Sequence, residues 1–143
     1  MIYADSSVLV AFYLPEERTA EVHASVVRQP GMPVTSLHQA EWAHAVAAHV
    51  HRKDIDRRQA LAVEAAFASD CRAGVWVPMA LPDMAWQVCS GLAWQFGPRL
   101  PICTLDSLHV AAALVLHADR FWTFDQRQAR LARAAGLTTV GIV

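Results

Sequence analysis

Apolar and polar residues follow one another along this chain in short runs and in helical stripes, and the two patterns keep alternating. Ile2 to Ala4 reads as a short strand that leads into Asp5. Ser6 to Leu14 reads as a helix stopped by Pro15. Glu16 to Arg28 is amphipathic, with Glu16 and Glu17 in its first turn, where the helix dipole favours acids. Pro30, Gly31 and Pro33 end it, and Val34 with Thr35 forms the stub of a second strand. Ser36 opens a long helix to about Arg52, and Gln39 completes a Ser-x-x-Gln capping box. A tight turn at Lys53 to Ile55 joins it to a helix over Asp56 to Arg72. Val75 to Val77 is strand-like, and Pro82 to Phe96 is a helix weakened by Gly91 and ended by Gly97-Pro98. Leu105 to His117 is apolar nearly all round, which predicts a buried helix. Phe121 to Phe124 is a strand, Gln126 to Ala135 a helix ended by Gly136, and Thr138 to Val143 a last strand.

Short apolar strands separated by helices predict an α/β fold. The expected form is a mainly parallel central sheet flanked by helices, a three-layer α/β/α sandwich. No repeat, low-complexity tract or linker divides the chain, so one domain over residues 1–143 is expected. Ligands of such sheets bind outside the carboxyl ends of the strands. Asp5 and Asp125 both lie at such ends.

Two further acids stand in apolar surroundings, Glu41 and Asp106. At 100° per residue, Glu41 falls about 40° from Leu37 and about 20° from Ala48, so it points with the apolar stripe of its helix. Asp106 sits in the first turn of the apolar helix. Each acid has an ordinary reading: Asp5 and Asp125 as helix caps, Asp106 as a dipole partner, Glu41 as a stripe-edge residue. A carboxylate beside buried apolar surface is costly unless paired or bound to a cation. Four of them on four elements point to a shared hard divalent ion with oxygen ligands.

The net charge of −1 gives no basic field that would advertise nucleic acid. Lys53 is the only lysine among the basic residues, and arginine suits bidentate phosphate contacts. Arg127, Arg130 and Arg133 share one helix face next to Asp125; they are candidates for guiding an RNA backbone, or simply a solvated face. Cys71, Cys89 and Cys103 are odd in number and lack metal-ligand spacing, so all three are expected as small buried apolar residues. Trp42, Trp76 and Trp122 lie in core-like contexts. Trp86 and Trp94, with Met79 and Met84, are candidates for an apolar surface. There is no signal-peptide pattern and no uncharged apolar run of membrane-spanning length, so a cytoplasmic protein is expected.

Four segments carry a resemblance: Asp5 to Leu9 (DSSVL), Ala40 to Trp42 (AEW), Leu105 to Ala113 (LDSLHVAAA) and Thr123 to Asp125 (TFD), followed by Gly136-Leu137 and a final strand. In order and spacing they resemble the PIN-domain ribonucleases, specifically the VapC-type toxins of bacterial toxin–antitoxin pairs. The resemblance implies that Asp5, Glu41, Asp106 and Asp125 form the family's acid quartet. It places supporting hydroxyls at Ser7 and Thr123. It further implies a Mg²⁺- or Mn²⁺-dependent endoribonuclease, a homodimer, and inhibition by a small VapB-type antitoxin, with a structured RNA such as tRNA or ribosomal RNA as substrate. Two other readings stay open. One is a non-catalytic interaction module on the same fold. The other is a di-metal helical protein, for which Glu41-x-x-His44 and Asp106-x-x-His109 have the spacing and His38 is a further neighbour.

Overall fold

The computed structural model describes residues 1–141. The elements run β1 (Ile2–Ala4), α1 (Ser6–Tyr13), α2 (Thr19–Arg28), β2 (Met32–Val34), α3 (Ser36–His51), α4 (Arg57–Arg72), β3 (Trp76–Pro78), α5 (Met84–Phe96), α6 (Thr104–Val115), β4 (Arg120–Trp122), α7 (Gln126–Ala134) and β5 (Thr138–Val140). The fold is α/β, and every strand pairing among the described residues is parallel. The strands form a three-stranded sheet, β1-β4-β5, and a two-stranded sheet, β2-β3, where the pattern predicted one central sheet. These belong to two compact units: Met1–Ser7 with the chain from Ala80 onward, and Val8–Met79.

In the first unit β4 is central. It pairs Tyr3 with Phe121 and Ala4 with Trp122 on one side, and Trp122 with Val140 on the other. The rings of Tyr3 and Phe121 are fully buried and stack at 5.8 Å and 8°. α6 buries every residue from Ser107 to Ala113, as its all-round apolar pattern predicted, and packs against α5. Gly141 follows β5 at φ +87, and a Cβ there would meet the Trp122 ring at 2.4 Å. Only glycine combines that backbone with that approach.

In the second unit Phe12, Tyr13, Trp42, Phe67 and Trp76 form an aromatic cluster, with centroids 5.3–5.7 Å apart between Tyr13–Trp42, Tyr13–Phe67 and Phe12–Trp76. Its polar atoms are satisfied internally. Trp76 donates to the Tyr13 hydroxyl at 2.9 Å, Tyr13 donates to Asp70 at 2.6 Å, and Trp42 donates to Glu64 at 2.6 Å. Burial, then the Asp70 hydrogen bond, pushes the Tyr13 phenol well above its ordinary value. α4 starts with a reciprocal capping box between Asp56 and Gln59.

Several local expectations are corrected. α3 is capped by Thr35, not Ser36. The residue three on from the cap is His38, whose Nδ1 accepts from the Thr35 backbone, so Gln39 plays no capping part. The second strand accordingly ends at Val34 and runs back through Pro33, which a two-stranded ribbon tolerates. Glu16 and Glu17 precede α2. Thr19 accepts from Glu16 N and donates to Glu16 O, which folds the segment into a turn. Cys103 is exposed and Cys71 half-buried; only Cys89 is buried, and all three are free. Trp42, Trp76 and Trp122 are buried, as expected, while Trp86 and Trp94 are exposed. Residues 142 and 143 of the last predicted strand lie outside the described residues. Among the described residues no helix is long and apolar enough to cross a membrane.

Candidate metal-dependent nuclease centre

The register of β1 on β4 sets the first part of the site. Ala4 is opposite Trp122, and Asp5 N donates to Trp122 O at 2.9 Å, so the next residues in line are Asp5 and Thr123. Thr123 Oγ1 donates to Asp5 Oδ2 at 2.7 Å across the strand ends. The other oxygen, Oδ1, accepts from the backbone N–H and the hydroxyl of Ser7, in the first turn of α1. Asp5 is 3% exposed. A carboxylate held there in one orientation by three donors is ordered by the fold and does not depend on solvent.

Thr123 also accepts the backbone N–H of Asp125 at 3.0 Å. Asp125 caps α7: its Oδ1 accepts from Arg127 N and Gln128 N, and its Oδ2 from the Arg127 guanidinium at 3.2 Å. Burial pushes its pKa up, but the Arg127 side chain and the two amides outweigh it, so the carboxyl sits below its ordinary value. The same pairing raises Arg127. Gln128, one residue on, is buried and sends Nε2 to Asp106 Oδ1 at 3.1 Å. Among the described residues, the buried Asp106 Oδ2 has no hydrogen-bond partner. One chain of contacts thus runs Asp5–Thr123–Asp125–Gln128–Asp106 and joins acids from the end of β1, α6 and the β4–α7 turn.

Glu41 is carried by α3, in the other unit, with a half-buried side chain. Arg127 and Arg130 are exposed on α7, whereas Arg133 donates to Thr139. His109, one turn beyond Asp106, lies between two hydroxyls: Tyr3 at 3.0 Å from Nδ1 and Ser6 at 3.3 Å from Nε2. With both ring nitrogens engaged, and with parallel sheets present, the di-metal helical reading is overturned.

A model of the PIN domain family matches residues 2–134. The chain belongs to the PIN domain family. No protein among curated sequences matches it. Solved structures of similar fold include VapC20 of Mycobacterium tuberculosis, described as a sarcin-ricin loop cleaving toxin. It is 15% identical over 98% of each chain, with a TM-score of 0.69. FitAcB of Neisseria gonorrhoeae is 16% identical over 99% of this chain and 97% of that one, with a TM-score of 0.69. VapBC2 of Rickettsia felis, bound to a DNA fragment from its promoter, is 15% identical over 100% of this chain and 99% of that one, with a TM-score of 0.71. At this identity they establish the PIN fold.

The PIN domain implies a divalent cation, and the residues fit one. Among the described residues no three Asp, Glu, His or Cys side chains gather as a ready cage. Mg²⁺ does not require that; it keeps several waters and binds through one or two carboxylates plus substrate phosphate. The buried Oδ2 of Asp106, without a hydrogen-bond donor among the described residues, is a hard oxygen that a cation would suit. Gln128 escaped the sequence reading. Its signal would have been a glutamine on the apolar side of α7, beside buried Ala129, Leu131 and Ala132.

Proposed function

We propose that this PIN domain, a single catalytic domain over residues 1–143, is a VapC-type toxin: a Mg²⁺- or Mn²⁺-dependent endoribonuclease held inactive by a cognate VapB-type antitoxin. The observation that carries the reading is the hydrogen-bonded chain from Asp5 to Asp106, which ends on an oxygen with no partner. Asp5 and Asp106 would hold the cation directly. Glu41 and Asp125 would act through water or on a second ion. Bound there, the cation supplies positive charge against the phosphoryl oxygens and acidifies water for attack on phosphorus.

The protein's own part is orientation. Ser7 and Thr123 keep the Asp5 carboxylate from rotating. Asp125 anchors the start of α7 and holds Arg127 beside the acids. Arg127 and Arg130 offer guanidinium groups to the phosphates on either side of the cleaved bond. Attack by water leaves a 5′-phosphate and a 3′-hydroxyl. The resemblance to a sarcin-ricin loop cleaving toxin favours a structured RNA, such as ribosomal RNA or tRNA, as substrate. The VapBC2 and FitAB relatives favour a VapB-type partner, and the VapC-type resemblance implies a homodimer in the cytoplasm.

Incubating the purified chain with ribosomal RNA and tRNA in Mn²⁺, and sequencing the ends, tests this. Cleavage should stop in EDTA, return with Mg²⁺ or Mn²⁺, and be lost in Asp5→Asn and in Asp106→Asn. Cleavage that survives either substitution would sink the reading. An inert, cation-insensitive wild type would favour an interaction module on the same fold. The antitoxin is expected to place an arginine or lysine among the acids. The double variant Asp5→Asn/Asp106→Asn should therefore bind it more weakly in calorimetry, and unchanged binding would refute that mode.

A further inference from the structure

Gln128 occupies the third helical position of α7, with Asp125 as the cap. A glutamine there ordinarily turns back to the cap residue's own N–H. Here that N–H is already given to Thr123 Oγ1. The Gln128 side chain is thereby released and crosses to α6, where Nε2 donates to Asp106 Oδ1. The assignment of its two ends follows from chemistry, because a carboxylate oxygen needs a donor and only the NH₂ end supplies one.

Gln128 is 4% exposed, and its Oε1 is buried with no partner. Its neighbours Ala129, Leu131 and Ala132 are buried and apolar. For packing alone a methionine or leucine would serve better, since it would bury no orphaned carbonyl. A glutamine that leaves one polar atom unsatisfied to donate with the other is spent on Asp106. Its contact occupies Oδ1 and leaves the buried Oδ2 without a donor among the described residues.

We propose that Gln128 is a positioning residue of the nuclease centre. It locks the Asp106 carboxylate in the rotamer that presents Oδ2 to the divalent cation, and couples it to the Asp125 cap through the same residue's backbone N–H. The inference rests on the nuclease reading above. Groups that orient metal ligands typically change metal affinity or activity by about 10–100-fold when removed.

The test uses the full chain as wild type, Gln128→Met and Gln128→His. Methionine keeps length and volume without a donor; histidine restores an N–H at similar reach. Melting without metal, Mn²⁺ binding by calorimetry without RNA, and kcat and KM on a cleaved RNA are measured. Gln128→Met should stay folded, bind Mn²⁺ at least about tenfold more weakly, and lose kcat by a similar factor with KM for RNA unchanged. Gln128→His should recover most of both losses. Wild-type Mn²⁺ affinity and kcat in Gln128→Met would overturn the inference and leave the nuclease reading standing. An unfolded Gln128→Met would overturn it in favour of a purely structural role. A wild type that neither binds Mn²⁺ nor cleaves RNA would overturn both.

Discussion

Thr123 shows how much one side chain organises. Its hydroxyl donates a hydrogen bond to Asp5 and accepts one from the Asp125 backbone N–H, so its donor and one of its acceptor sites serve two acids. Asp125 then serves α7. Asp125→Ala should destabilise the protein by about 1 kcal/mol at pH 7, whereas Asn, which also caps, should cost less. The carboxyl's pKa is depressed in the fold, so this contribution is full above the unfolded value near 4 and is lost as pH falls through the folded value. Urea melts of wild type and Asp125→Ala should converge below about pH 3. Asp106 is placed differently. Its Oδ2 is buried without a donor, so Asp106→Asn should melt no lower than metal-free wild type. A loss of more than about 1 kcal/mol there would mean that the charge is compensated by the fold and not reserved for a cation. At this scale Asp5 and Asp106 stood out in the sequence because each carboxylate adjoins apolar residues. Gln128 did not, because its use depends on a contact 22 residues away and on an N–H already claimed by Thr123.

Elements were legible wherever one local preference dominated. The buried helix α6 and the Asp56 start of α4 follow from composition and capping alone. The start of α3 was misplaced because Thr35 and Ser36 are both good caps, and a histidine at 38 completes the box that Gln39 had been given. The division of strands into three and two depends on tertiary pairing, which periodicity does not encode. Tyr13, Asp70 and Trp76 link α1, α4 and β3, and their bonds are mutually dependent. Tyr13→Phe should cost roughly 1–3 kcal/mol in chemical denaturation, since it orphans the Trp76 N–H and one Asp70 oxygen. The phenol's pKa is raised by folding, so its contribution is full below the unfolded value near 10 and fades as pH rises through the folded value. The deficit of Tyr13→Phe should therefore shrink in strong alkali, and a deficit that grew there would contradict the assignment. At β5, Gly141→Ala should lower the melting temperature, because both the positive φ and the Trp122 ring oppose a methyl group.

For the molecule as a whole, the proposed cation binding would be coupled to folding. A ligand that binds only the native state stabilises it by roughly 2.7 kcal/mol at a hundredfold excess over Kd. For a chain of this size that is a rise on the order of 8 °C in melting temperature. Millimolar Mn²⁺ should produce such a rise in wild type and none in Asp5→Asn/Asp106→Asn, read by calorimetry with and without EDTA. Equal rises in both proteins would place the cation elsewhere. The pairing of β1 with β4 has a consequence of a different kind. Asp5 and Thr123 are 118 residues apart in the chain, and β4 is flanked on its other side by β5 at Thr138–Val140. Synthesis runs from the N-terminus, and contacts so distant in sequence form late. A ribosome making this protein carries Asp5 for 118 residues before Thr123, whose hydroxyl helps orient it, is made. The proposed nuclease activity would therefore be withheld until β4 has been made and has paired with β1.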